Sequence, residues 1–123
     1  MNDSKIKLLA RRDRYLRDQL PIRLGNLASN LARIDSISKH PTLSESASNV
    51  VIESKLFIEW TAPDASLTQQ VELLELQRTL ARWRLGWDEI WNDTEKRSRV
   101  AAEARQWSNR VLELSGLLQA STR

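Results

Sequence analysis

Residues 66–91 read SLTQQVELLELQRTLARWRLGWDEIW. The segment has no proline, and apolar residues recur every three or four positions, the mark of an amphipathic helix. Wound at about 100° per residue, Leu73, Leu76, Leu80, Trp83, Trp87, Ile90 and Trp91 fall on one face. Leu67, Val71, Leu74, Ala81 and Leu85 fall on roughly the opposite face, with polar strips between. A helix in a simple bundle buries one stripe, whereas a helix apolar on two opposed faces has two neighbours to satisfy. The second stripe, represented by Leu67, Val71, Leu74 and Leu85, is therefore the expected protein interface, unless the first helix folds across it.

Trp83, Trp87 and Trp91 stand four residues apart and are three of the five tryptophans in 123 residues. They continue the leucine seam that starts at Leu73, so they read as core. Stacking on nucleic-acid bases requires exposed rings among basic groups. Arg82 and Arg84 are near, but Asp88, Glu89 and Asp93 share the stretch and repel phosphate. A haem would want an axial His, Cys or Met there, and the stretch has none.

Working outward, prolines at 21, 41 and 63 divide the chain. Before the second of them, Ile6, Leu9, Asp13, Leu16, Leu20, Leu24, Leu27, Leu31 and Ile34 form one seam that keeps its phase across Pro21. That continuity predicts a single long first helix kinked near Pro21, where the ring crowds the carbonyl of Arg17. The stretch HPTLSESASNVVIESKLFIEWTAP follows at 40–63. In it Thr42 with Glu45 fits a capping box, and Ser66 with Gln69 offers a second, opening a helix from 66 to about 91. Asn92 with Glu95 caps a fourth start, and the next seam is Val100, Ala104, Trp107, Val111, Leu114 and Leu118. A turn is expected there, because an unbroken helix over 66–119 would be a rod of about 80 Å. Short loops between such helices give an all-α, antiparallel up-down bundle of about four helices, one domain over residues 1–123.

Composition excludes several kinds of chemistry. Cysteine is absent and His40 is the only histidine. There is thus no thiolate nucleophile or thiolate metal site, and a zinc centre would need carboxylates around one imidazole. Gly25, Gly86 and Gly116 stand alone, so no phosphate loop is present. No cofactor, metal or small-molecule substrate is expected. The start, MNDSKIKLLARRDRYLRD, has no apolar run of signal-peptide length, and the runs VVI and LFI are too short to cross a bilayer. The expectation is a cytoplasmic protein without a membrane span.

Net charge is +3 but unevenly spread. Residues 1–40 carry nine basic groups against four Asp, residues 41–75 one against six acids, and residues 76–123 nine against six. Such alternation lets neighbouring segments attract one another when packed. It also leaves Lys5, Lys7, Arg11, Arg12, Arg14 and Arg17 as a candidate phosphate-binding cluster for RNA or DNA, extended by EKRSR at 95–99.

Arg33 and His40, in RIDSISKH, resemble the Arg-x(4–6)-His signature of the HEPN family of helical domains, whose nucleolytic members use such a pair. Over these eight residues the resemblance implies an RNA-cleaving pair. The remaining features favour a non-enzymatic scaffold or accessory subunit that self-associates or binds another protein through an apolar helix face. A basic accessory protein for nucleic acid is the alternative.

Overall fold

The computed structural model describes residues 2–118. Among them the chain forms helices α1 (Asp3–Leu16), α2 (Leu20–Ile37), α3 (Ser44–Thr61), α4 (Leu67–Leu85), α5 (Trp87–Asn92) and α6 (Thr94–Ser115), with a single 3-10 turn at Ala62–Asp64. No strand occurs among the described residues.

The core is organised around α2. Leu24, Leu27, Leu31 and Ile34 recur at three and four, and all four are wholly enclosed. They meet Val50, Val51 and Ile58 of α3, Leu73, Leu76, Leu80 and Trp83 of α4, and Val100, Ala104 and Val111 of α6 in one cluster. The approach of α2 to α6 is close because the residues between them are small. The Ser108 hydroxyl reaches across to donate to the Ala28 carbonyl at 2.7 Å. Nearer the ends, Arg105 Nε donates to Asp35 at 2.8 Å and Arg97 Nε to the Ser38 carbonyl at 3.1 Å. The partners descend along α2 as they ascend along α6, so the two helices run in opposite directions. Gln77 of α4 also meets Lys55 of α3, and Arg110 of α6 meets Glu72 of α4.

The first helix differs from the sequence expectation. It is not one kinked rod but two helices, separated at Arg17–Gln19. The last turn of α1 tightens, with the Arg17 and Asp18 amides bonding carbonyls three residues back. Gln19 is then extended and caps α2, which places Pro21 in the first turn. There its missing N–H falls among amides that have no intrahelical partner anyway. Restarting the helix thus costs less than carrying proline through its interior.

The seam assigned to α1 is also corrected. Ile6 and Leu16 are exposed, and the side chain that α1 buries is Tyr15. Its ring stacks on Phe57 with centroids 4.2 Å apart and lies beside Trp60 at 5.7 Å. Its hydroxyl donates to the Arg23 carbonyl at 2.9 Å and pairs with Thr61 Oγ1 at 2.7 Å. Because of the break at Arg17–Gln19, α1 lies against α3 and does not cross the outer face of α4.

Two caps move by one residue. The Leu43 amide bonds the His40 carbonyl in a turn, so α3 opens at Ser44 and the expected Thr42–Glu45 box does not form. Since α5 continues through Asn92, Asp93 takes the cap of α6 and accepts from the Lys96 amide at 3.1 Å. The Ser66–Gln69 box forms as the sequence implies.

The contrast between core and surface leucines is measurable in dilute solution. Leu31→Ala lowers the unfolding free energy by about 2–5 kcal/mol, whereas Leu74→Ala changes it by less than about 0.5 kcal/mol. Equal losses in chemical denaturation would contradict this placement of the core.

Candidate interaction surface

The two stripes of α4 are separated by the packing itself. Leu73, Leu76, Thr79, Leu80 and Trp83 point inward and are buried. Leu67, Val71, Leu74 and Leu85 point outward and are 78%, 57%, 60% and 91% exposed. Nothing else in the described chain covers them.

The helix carrying this face is firmly held. At its start the Ser66 hydroxyl accepts from the Gln69 amide at 3.2 Å, and Gln69 Oε1 accepts from the Ser66 amide at 2.8 Å. Gln69 Nε2 also donates to the Leu114 carbonyl at 3.1 Å, tying the cap to α6. Farther along, Arg110 grips Glu72 with two bonds of 2.7 and 3.1 Å, which holds the Glu72 carboxyl below its usual range. Gln77 bridges to the Lys55 carbonyl at 3.3 Å. The outer face is thus presented on a rigid rod between α3 and α6.

Continuity of the helix to residue 91 does not hold, because α4 ends at Leu85 and α5 restarts at Trp87. The tryptophans nonetheless serve as core. Trp83 and Trp91 are buried, and Trp87 stacks on Trp91 at 5.3 Å. Both of the latter donate their indole N–H groups, Trp87 to Ser44 Oγ at the start of α3 at 3.1 Å and Trp91 to the Pro41 carbonyl in the α2–α3 connection at 2.6 Å. The Arg97 guanidinium sits 5.6 Å from the Trp91 ring centre and donates to its carbonyl at 2.6 Å. The rings close one end of the core.

The basic residues of α1 and of the turn after it divide. Arg11 is paired with Glu53, which also accepts from Asn30 at 3.0 Å. Arg12 lies 3.8 Å from Asp13. Lys5, Lys7, Arg14 and Arg17 are exposed and form no ion pair among the described residues. The cations of segment 95–99 are engaged within the chain, Arg99 on Glu95 at 2.6 Å, Lys96 on Glu89, and Arg97 on Trp91 and the Ser38 carbonyl.

Arg33 and His40 are not assembled into a site. Arg33 is exposed on α2 and lines an open hollow with Arg11, Ser46, Asn49 and Glu53. His40 is exposed in the turn beyond α2, where its amide bonds the Ile37 carbonyl at 2.9 Å, and it does not line that hollow. Among the described residues no three His, Asp or Glu groups gather as a metal site, and no helix is long and apolar enough to cross a membrane.

Sequence reasoning missed Tyr15, the pin that fastens α1. It is the chain's one tyrosine and stands among charged residues, so periodicity gave it no weight. Burial, opposed in part by its bond to Thr61, pushes its phenol up to about 12. The unfolded phenol titrates near the ordinary tyrosine value of about 10. The raised folded value means that the stability due to the neutral phenol is fully present below pH 10 and is lost as pH rises from there through about 12. Phenolate absorbance, attributable to this one residue, should therefore rise near pH 12, and a midpoint near 10 in the folded protein would show α1 undocked.

No family model, curated protein or solved structure matches the chain.

Proposed function

We propose that this protein is a non-enzymatic interaction subunit, a scaffold or accessory protein that works by presenting the outer face of α4 and associates with itself through it. Its framework is an antiparallel up-down bundle of α2, α3, α4 and α6, with α1 and α5 as attached pieces. One observation carries the reading: four large aliphatic side chains stand together on one helix face with more than half of each exposed. Single exposed leucines need no explanation, but contiguous apolar patches mark interaction sites. The rigid mounting of α4 adds support, since a preorganised surface loses little entropy on binding.

Sedimentation velocity tests this directly. The wild type should gain mass with concentration, while Leu74→Lys should remain a single chain with unchanged thermal stability in dilute solution. A wild type that stays a single chain at high concentration would overturn self-association.

A second reading has its own support in Lys5, Lys7 and Arg14 of α1 and Arg17 just after it, four cations with no ion pair among the described residues. These would bind phosphates of RNA or DNA without sequence preference. Four phosphate contacts give a slope of roughly −3.6 in log affinity against log salt on duplex DNA. Unchanged anisotropy of labelled RNA and DNA at low salt would eliminate this reading.

A further inference from the structure

The exposed face of α4 has a finer pattern than a patch. Leu67, Val71, Leu74, Arg78, Ala81 and Leu85 follow one another in alternating steps of four and three. That spacing keeps a straight seam facing a second helix and is the packing rhythm of coiled coils. The polar residue in the seam, Arg78, has a largely exposed side chain and only a loose contact of 3.6 Å to Glu75 one turn back. Ala81 leaves a gap in the row, and a shallow hollow of about 310 Å³ opens there, lined by Lys55, Ala81, Arg84 and Leu85.

Charge along the same helix is polarised. Glu72 and Glu75 lie in its first half, and Arg78, Arg82 and Arg84 in its second. A parallel copy would set arginine against arginine. An antiparallel copy sets the acidic half against the basic half.

We propose that the partner of this face is a second copy of the chain, with the two α4 helices packed antiparallel about a two-fold axis at the level of Leu76. This rests on the self-association reading above and adds the orientation and register. In that register Leu67 faces Leu85 of the second copy, Val71 faces its Ala81, and Leu74 packs on the stem of its Arg78. The Arg78 guanidinium then comes beside the Glu75 carboxylate of the second copy, and the same pair recurs across the axis. Large side chains thus meet small ones where the seam is thinnest, since Leu67 and Val71 of one copy arrive at the hollow beside Ala81 and Leu85 of the other. The interface is isologous and closed, so association stops at two chains.

Absence of cysteine makes the register directly testable. Leu67→Cys and Leu85→Cys are introduced in separate chains, which are oxidised mildly alone and mixed. The proposal expects disulfide-linked dimers in the mixture and few in either variant alone. Linkage within each variant alone would indicate a parallel pair and overturn the register while leaving self-association intact. No linkage in the mixture, although sedimentation shows wild-type dimers, would place the contact on another face. A wild type that is always a single chain would instead remove the underlying reading. Because these substitutions thin the seam, a charge exchange supplies a second measure. Glu75→Arg should weaken dimerisation by about tenfold through the two symmetric pairs, and Glu75→Arg with Arg78→Glu should restore it. Failure of the exchange to restore dimerisation would count against the antiparallel pairing.

Discussion

Enclosure of the α2 seam is the constraint on which the other elements depend. Leu24, Leu27, Leu31 and Ile34 lose all contact with water only if helices close on them from several sides. Small residues let α6 come close enough for Ser108 to bond the Ala28 backbone, and that approach sets the spacing to which α3 and α4 conform. Ion pairs then join segments of opposite charge across the surface, as between Arg11 and Glu53 and between Arg110 and Glu72 at 2.7 Å. Surface pairs of this kind contribute little individually, so they select orientation while the leucine seam supplies the stability.

The functional consequence follows from α4. Its inward stripe completes the enclosure of α2, which fixes its outward stripe by geometry. The helix cannot rotate to bury Leu67, Val71, Leu74 and Leu85 without exposing Leu73, Leu76, Leu80 and Trp83. The fold therefore leaves an apolar seam on the outer side of α4. That argues for a partner in a way that a mobile apolar segment would not.

Much of this was legible in the residues. The two stripes of α4 are visible as soon as the segment is wound at helical pitch, and Ser66 with Gln69 marks its start. The tryptophans read as core because they prolong a leucine row and share their stretch with acids. The unread parts were those where a local choice has two outcomes of similar cost. Pro21 is compatible with a kink or a restart, and an unbroken hydrophobic phase does not distinguish them. Thr42 and Asn92 are good caps, but neighbouring turns shifted each helix start by a residue. Tyr15 gave no periodic signal because its partners, Phe57, Trp60 and Thr61, lie far away along the chain.

Solvent access at the methyl groups of α4 tests the central claim, that one apolar face is filled from within and the other from a second copy. Methyl NMR with a soluble paramagnetic agent reads each leucine and valine separately. In dilute solution Leu67, Val71, Leu74 and Leu85 should relax strongly while Leu73, Leu76 and Leu80 stay protected. As concentration rises the first group should become protected and the second should not change. Strong relaxation of the outer methyls at every concentration, or protection of them even in dilute solution, would contradict the account.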